Sequence, residues 1–325
     1  MFNHLKSYCL TLGIGLLTLT LTIGCSSTSS LHNELSGPIS VPSYQIYYSK
    51  ASAKTLSREQ NLLTNLLLVL ESDAKSPEDK AEVFYELATV YDELGLENLA
   101  RFMLMNSIVN KPGFYKPYEL LGIYFLKEGR VADACDAFDS AIFLGKDKTY
   151  AYPYLNRAFA MYYSKHYKLA LEDMMYFYRE DPTDPYRLIN LYFIELKTLD
   201  KQTAFDNLNR RFEELQAKSK KKIWGEILVK LCLNQISEKE LFEDIVSYQN
   251  DDDLFQEHLC EAYFYIGKLK LEQGLDKLAF DYFSLCRQTR KYGFLEYRNA
   301  YLEQHELEKK YSPLVLYDEI DDDNL

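Results

Sequence analysis

Residues 121–142, "LGIYFLKEGRVADACDAFDSAI", carry the pattern that decides the fold of this 325-residue chain. Gly122 is followed by the aromatic Phe125, and Ala134 is followed by Phe138 four residues later. Small residues let two helices approach closely, and the aromatic side chains fill the space beside them. The stretch therefore predicts two short helices that pack against each other.

The same pattern recurs along the chain at a spacing of 34 residues. Residues 81–114 and 115–148 align at this spacing, residues 151–184 follow after a two-residue offset, and residues 260–293 repeat the pattern. The small positions are occupied on the first helix by Ala88, Gly122, Ala158 and Gly267, and on the second by Ala100, Ala134, Ala170 and Ala279. A helix pair of this length and pattern is a tetratricopeptide repeat.

One such helix pair cannot bury its apolar face alone, so the units stack on their neighbours. The sequence therefore predicts an all-α, tetratricopeptide-type solenoid, a right-handed superhelix with a concave inner face. Residues 185–259 lack the motif but keep apolar residues at three- to four-residue spacing, which predicts two degenerate helix pairs. Pro185 suits a first helical turn, and Ser237 to Glu240 forms a capping box.

Residues 1–24 have the layout of a secretory signal, with Lys6, an uncharged apolar run and a small residue at Gly24. A membrane-spanning helix is the alternative, but a span needs about 20 apolar residues, and this run is interrupted by threonines and a serine. The signal ends Leu-Thr-Ile-Gly-Cys25, which resembles the lipobox of bacterial lipoproteins. The resemblance implies acylation of Cys25, and Ser26 after it implies sorting to the outer membrane.

A further amphipathic helix is predicted over 53–71, ahead of the first repeat, where the run "LLTNLLLVL" is too apolar to lie exposed. We expect it to cap the array or to pack on another copy. The predicted division of the chain is a signal peptide at 1–24, a flexible tether at 25–52, a capping or dimerisation helix at 53–80, three tetratricopeptide repeats at 81–184, degenerate helix pairs at 185–259, a tetratricopeptide-like repeat at 260–300 and an acidic tail at 301–325.

Composition and motifs argue against several functions. The net charge of −12 makes nucleic acid a poor partner. The five histidines are scattered without metal-ligand spacing, and no nucleophile motif stands in a strand-turn-helix setting. We predict a non-enzymatic protein that needs no cofactor or metal. The four cysteines beyond the signal and the lipobox are interpreted as buried thiols, with disulfide pairing left open: Cys135, Cys232, Cys260 and Cys286.

Repeat geometry predicts a partner-binding groove, because fixed positions of each first helix line the concave face. These positions hold Tyr85, Thr89, Asp92, Ile123, Leu126, Tyr152, Leu155, Phe159 and Tyr162, with Glu119 also among them. The four from the third repeat form an apolar set. Such a set indicates either a partner protein or a neighbouring helix, such as 53–71, that covers it.

Four stretches are similar to the lipoprotein NlpI family of Gram-negative bacteria, over about residues 62–300: "VYDELGLENLAR", "LGIYFLKEGRVADACDAFDSAI", "LNRAFAMYY" and "FYREDPTDPYR". The resemblance implies a homodimeric outer-membrane lipoprotein that faces the periplasm. It implies an adaptor that presents a murein endopeptidase to a tail-specific periplasmic protease and scaffolds other peptidoglycan hydrolases. The alternative from the repeats is a structural assembly factor for outer-membrane proteins.

Overall fold

The computed structural model describes residues 34–48, 53–71, 76–146, 150–218 and 223–311. Within these ranges it contains fourteen α-helices, a 3₁₀ turn at Ser43–Gln45 and no strand, so the predicted all-α solenoid is confirmed. The helices are α1 Ala53–Glu71, α2 Pro77–Glu93, α3 Glu97–Asn110, α4 Lys116–Lys127, α5 Val131–Leu144, α6 Tyr152–Tyr163, α7 Tyr167–Glu180, α8 Pro185–Thr198, α9 Lys201–Lys218, α10 Gly225–Cys232, α11 Glu238–Val246, α12 Asp252–Glu272, α13 Asp276–Gln288 and α14 Leu295–Tyr311.

Four helix pairs correspond to the repeats read from the sequence: α2 with α3, α4 with α5, α6 with α7, and α12 with α13. The small residues at the repeat positions are buried in every pair. A methyl group added at Gly122 would lie 2.5 Å from the Phe138 ring, and one at Gly267 would lie 2.6 Å from Phe283. The two helices of a pair are therefore as close as the aromatic ring between them permits.

Local signals set the helix ends. The Ser237 hydroxyl accepts from the Glu240 backbone N–H at 3.2 Å, and the Glu240 carboxylate accepts in return from the Ser237 N–H at 2.7 Å. This is the predicted capping box at the start of α11. Pro185 opens α8, where the Asp184 carboxylate accepts from the Tyr186 N–H at 2.8 Å.

The C-terminal boundaries differ from those predicted. Helix α12 runs without a break from 252 to 272, so the predicted boundary between 259 and 260 falls inside a helix. The acidic tail was predicted from residue 301, whereas α14 continues to Tyr311. The repeat motif ends before this helix, but α14 has leucines at 302 and 307 that are buried against its neighbours. Residues 312–325 lie outside the described part.

The prediction of a flexible tether over 25–52 is wrong for residues 34–48, which lie against the C-terminal helices. The Gln45 side chain is fully buried, and the Tyr263 hydroxyl donates to the Gln45 carbonyl at 2.6 Å. The Tyr47 ring packs on aromatic rings of α11 and α12. The prediction was based on the serine, glycine and proline residues of this segment, which favour a flexible chain. The apolar and aromatic residues between them are stabilised by burial, and this burial holds the segment against the helices.

The signal peptide at 1–24, its lipobox and Cys25 lie outside the described residues. Helix α1 occupies 53–71 as the sequence predicts, and it packs on α2. Among the described helices, none is long and apolar enough to cross a membrane.

The four cysteines of the described helices are free thiols. Cys232, Cys260 and Cys286 are buried, whereas Cys135 is half-buried. The sulfur atoms of Cys260 and Cys286 lie 3.6 Å apart, at the contact between the two helices of the last repeat. Burial raises the pKa of Cys232 to about 12, so this thiol stays protonated at neutral pH.

Candidate partner-binding groove

Helices α2, α4 and α6 carry the predicted groove residues, and the chain's own last helix, α14, contacts all three helices. Arg298 of α14 forms an ion pair with Asp92 of α2, and α14 also packs on α4. Five predicted groove residues are buried: Asp92, Glu119, Leu126, Leu155 and Phe159. The expected open groove is therefore largely filled from within.

The helices that cover the apolar set of the third repeat are not the one expected from the sequence. The sequence indicated helix 53–71 as the possible cover of the apolar set, but this helix, α1, packs on α2. Helices α12 and α14 lie against the apolar set of the third repeat instead. Tyr162 is half-buried, and its hydroxyl accepts from the Lys268 ammonium at 3.0 Å. Lys268 is also ion-paired with Glu303 of α14. Helices of the same chain thus lie against Tyr162, which corresponds to the second of the two expected arrangements, and its contact with a partner stays a prediction.

Three groove residues of the first two repeats are half-buried: Tyr85, Thr89 and Ile123. The Tyr85 ring meets the Phe114 ring edge-on, with centroids 5.4 Å apart. The Thr89 hydroxyl donates to the Glu86 carbonyl at 2.8 Å, within its own helix. Ile123 lies where α4 faces the N-terminal end of α14. These side chains line the groove without closing it.

One open part is a cleft of about 430 Å³ where α4, α6, α8, α12 and the start of α14 meet. We call it the acidic cleft, after the carboxylates of Glu119, Glu261 and Glu296 that line it. Of the predicted groove residues, Tyr152 is the one most exposed here, at 46%. Glu261 and Glu296 were not predicted as site residues. The position of Glu261 inside the otherwise apolar run 259–266 could have indicated a special role, whereas nothing in the sequence pattern distinguishes Glu296.

Burial is the main cause of the shifted pKa values of the carboxyl groups in the acidic cleft. It raises the pKa of Glu119 to about 7, although hydrogen bonds from Tyr150 and Asn156 work in the opposite direction. Burial also raises the pKa of Glu261 well above its ordinary range, and the neighbouring charge of Glu296 adds to this. The pKa of Glu296 is raised for the same first reason. The cleft therefore holds carboxylates whose negative charge the protein leaves poorly compensated.

A second feature is an apolar stripe on the outer side of α3, which the sequence analysis did not single out. Its members are strongly exposed, by 45%, 59%, 62% and 78% in chain order: Leu99, Phe102, Met105 and Val109. One repeat later, on α5, the equivalent positions hold Asp133, Asp136, Asp139 and Phe143. Since the repeat accepts acids there, the fold does not require the apolar side chains of α3.

Across the described ranges, no group of three histidine, cysteine, aspartate or glutamate residues is arranged to hold a metal ion. The features that stand out are surfaces and a cleft, both suited to binding.

No protein-family model matches the sequence. Solved structures with a similar helical arrangement include MamA, at 19% identity over 54% of this chain and 100% of MamA, with a TM-score of 0.42. PilF of Pseudomonas aeruginosa is 14% identical over 68% of this chain and 91% of its own, with a TM-score of 0.44. PilW, a type IV pilus biogenesis factor, is 14% identical over 69% of this chain and 91% of its own, with a TM-score of 0.45. Similarity at this level concerns the arrangement of helices, and we transfer no activity from it.

Proposed function

We propose that this protein is a non-enzymatic adaptor that binds a tail-specific periplasmic protease and murein hydrolases, and so regulates peptidoglycan hydrolysis. The proposal joins the resemblance of the sequence to the NlpI family with the binding surfaces of the solenoid. The adaptor works by holding two proteins near each other, which raises the effective concentration of the substrate protein at the protease.

The observation that carries the proposal is the apolar stripe on α3. Exposed apolar side chains that follow one helix face at three- to four-residue spacing suit the apolar face of a helix in another protein. The acids at the same positions of α5 keep the next repeat free of such a partner. The stripe thus gives the first repeat a docking surface that the second lacks.

Attachment to the outer membrane through acylated Cys25 is part of the proposal. One acyl chain binds a bilayer only marginally, while two or more hold a protein durably, at about 0.8 kcal/mol per buried CH₂. An anchor ahead of residue 34 would leave the helical body in the periplasm, where its proposed partners act.

Homodimerisation is also part of the proposal, and α1 supports it. The terminal helix of a lone solenoid is normally polar on its outer side. Helix α1 instead exposes Leu56, Leu62, Leu67, Leu68 and Val69. A second copy of the chain would bury these side chains by the same stacking that holds the repeats together.

The experiment uses the full-length lipoprotein with a purified tail-specific protease and a purified murein endopeptidase. We expect the wild-type chain to bind both enzymes and to accelerate degradation of the endopeptidase. The double variant Phe102→Glu, Met105→Glu should lose most of this binding, because two charges would be desolvated in the contact. Phe143→Glu, at an equally exposed aromatic residue on α5, is the matched control and should bind normally.

Failure to bind either enzyme would overturn the proposal. Binding of outer-membrane barrel-assembly components in the same assay, with no effect on endopeptidase degradation, would support the assembly-factor alternative instead. Equal loss in the α3 variant and in the Phe143→Glu control would show that the stripe is not the docking surface.

A further inference from the structure

The acidic cleft brings together carboxylates from three distant parts of the chain. Glu119 comes from α4, Glu261 from α12 and Glu296 from α14, and all three side chains are buried. They surround the open volume of about 430 Å³ that is left between the repeats and the start of α14.

Each of these carboxylates is held by neutral hydrogen-bond donors. Glu119 accepts from the Tyr150 hydroxyl at 2.5 Å and from the Asn156 amide at 2.8 Å. Glu261 accepts from the Tyr186 hydroxyl at 2.9 Å and from the Trp224 indole N–H at 2.5 Å, and Glu296 accepts from the Tyr265 hydroxyl at 3.0 Å. Neutral donors orient the oxygens but bring no positive charge to them.

No cation of the described chain forms an ion pair with these three carboxylates. Arg298, which lines the cleft, pairs with Asp92, and Arg187 pairs with Asp184 beside it. Arg298 and Lys116 attract Glu119 without forming an ion pair with it, and burial still raises the pKa of this carboxyl group. An incoming cation that pairs with the carboxylates would offset the cost of burying their charge.

Aromatic rings form a further wall of the cleft. The rings of Tyr150 and Tyr152 lie 5.6 Å apart, and that of Phe177 lies 5.5 Å from Tyr152. The faces of aromatic rings attract ammonium and guanidinium groups. The exposed Tyr152 stands at the entrance, where it can contact a ligand before the carboxylates do.

Asn190 is an independent polar group of the cleft wall. Its side chain is only 4% exposed, and no hydrogen bond joins it to a described residue. Its amide atoms are not among the fully enclosed polar atoms, so they are open to the cleft and to a ligand there. Its oxygen can accept from a cationic N–H group, and its nitrogen can donate to a peptide carbonyl.

We propose that the acidic cleft binds the arginine or lysine side chain of a segment of a partner protein, with Tyr152 over its alkyl stem and Glu119, Glu261 and Glu296 around its charged group. This proposal rests on the proposed adaptor function and specifies one chemical feature of a partner. A metal ion is a poorer occupant, since the carboxylates are not arranged as a ligand set.

Trp224 is the single tryptophan of the chain, and its indole donates to Glu261, so its fluorescence reports on the cleft. The probes are the acetylated, amidated peptide Gly-Gly-Arg-Gly-Gly and the same peptide with citrulline, a neutral analogue of arginine. We expect a saturable fluorescence change with the arginine peptide and affinity lower by about tenfold or more with the citrulline peptide, because the charge-assisted bonds are lost.

The variants Glu119→Gln and Tyr152→Ala are each expected to weaken binding of the arginine peptide severalfold, measured by calorimetry. Tyr176→Ala is the matched control, since Tyr176 is 43% exposed on α7 and is not part of the cleft. Circular dichroism melts verify that each variant is folded.

Equal affinity for the arginine and citrulline peptides, or binding unchanged in both cleft variants, would overturn the cleft proposal. Binding of the protease and the endopeptidase is measured separately, through the α3 variant described above. Intact binding of those enzymes without arginine discrimination would overturn the cleft alone, whereas loss of enzyme binding with arginine discrimination retained would overturn the adaptor function alone.

Discussion

Glu119 shows how a single side chain links the groove of a repeat to the stability of the whole protein. It sits at a position that lines the concave face in an ordinary repeat, yet α14 and the third repeat bury it. Its pKa of about 7, against an ordinary value of 4.5, means that the folded protein binds a proton there that the unfolded chain releases.

At the residue scale we predict that Glu119→Gln stabilises the protein at high pH. Because the pKa is raised on folding, the charge of Glu119 destabilises the native state increasingly from about pH 4.5 to pH 7. The variant should therefore gain about 1–3 kcal/mol of unfolding free energy, relative to wild type, across this range. Urea unfolding at pH 4.5, 6 and 8 measures the difference.

The comparison with wild type is needed because His258 acts in the opposite direction. Burial lowers its pKa to about 4, so its contribution to stability rises with pH between about 4 and 6.5. That contribution is common to both proteins and cancels in the difference. A difference that stays constant with pH would contradict the prediction.

At the element scale, the distance between paired helices is set by one small residue opposite one aromatic ring. Gly122 faces Phe138 and Gly267 faces Phe283, with the same separation along the chain in both repeats. The last helix pair, α12 with α13, therefore packs in the same way as the second repeat, although degenerate helices separate them in the sequence.

Gly122→Ala is expected to lower the unfolding free energy by about 1–2 kcal/mol, the usual overpacking cost of about 1–3 kcal/mol less the gain in helix propensity. The new methyl group would lie 2.5 Å from the Phe138 ring, which is buried and cannot move freely. Gly113→Ala is the control, because nothing lies within 4 Å of its added methyl group. Equal stability of both variants in urea would refute the packing argument.

At the scale of the whole molecule, α14 turns an open solenoid into one whose concave face is occupied. Buried leucines hold it together with ion pairs, which join Arg298 to Asp92 and Glu303 to Lys268. Asp92 also accepts from the Tyr124 hydroxyl at 2.8 Å, which fixes its carboxylate. The first repeat and α14 therefore stabilise each other.

We predict that Asp92 and Arg298 are energetically coupled by about 1–2 kcal/mol in a double-mutant cycle of alanine variants. Both side chains are mostly buried, so solvent screens their interaction weakly. The exposed pair Arg210–Glu214 on α9 should show about 0.5 kcal/mol or less. Amide hydrogen exchange in α14 should also accelerate in Arg298→Ala, and absence of both effects would show that the ion pair does not hold the helix.

Much of the fold was predictable because its determinants are local. The repeat period, the capping box at Ser237 and the extent of α1 follow from side chains within a few residues of one another. The groove residues were correctly assigned to the first helices of the repeats, but whether they are open depends on α14, which lies far away in the sequence.

Stacked helix pairs follow from the amino-acid pattern alone, since small and aromatic residues at a fixed spacing specify how each pair packs. The pattern does not show that α14 contacts the groove helices, that residues 34–48 lie against the C-terminal helices, or where three carboxylates meet. Burial and charge at these places depend on segments that are far apart in the chain and that the repeat period does not connect. The repeated pattern specifies how neighbouring helix pairs pack, whereas the position of α14 depends on side chains that occur at single places in the sequence.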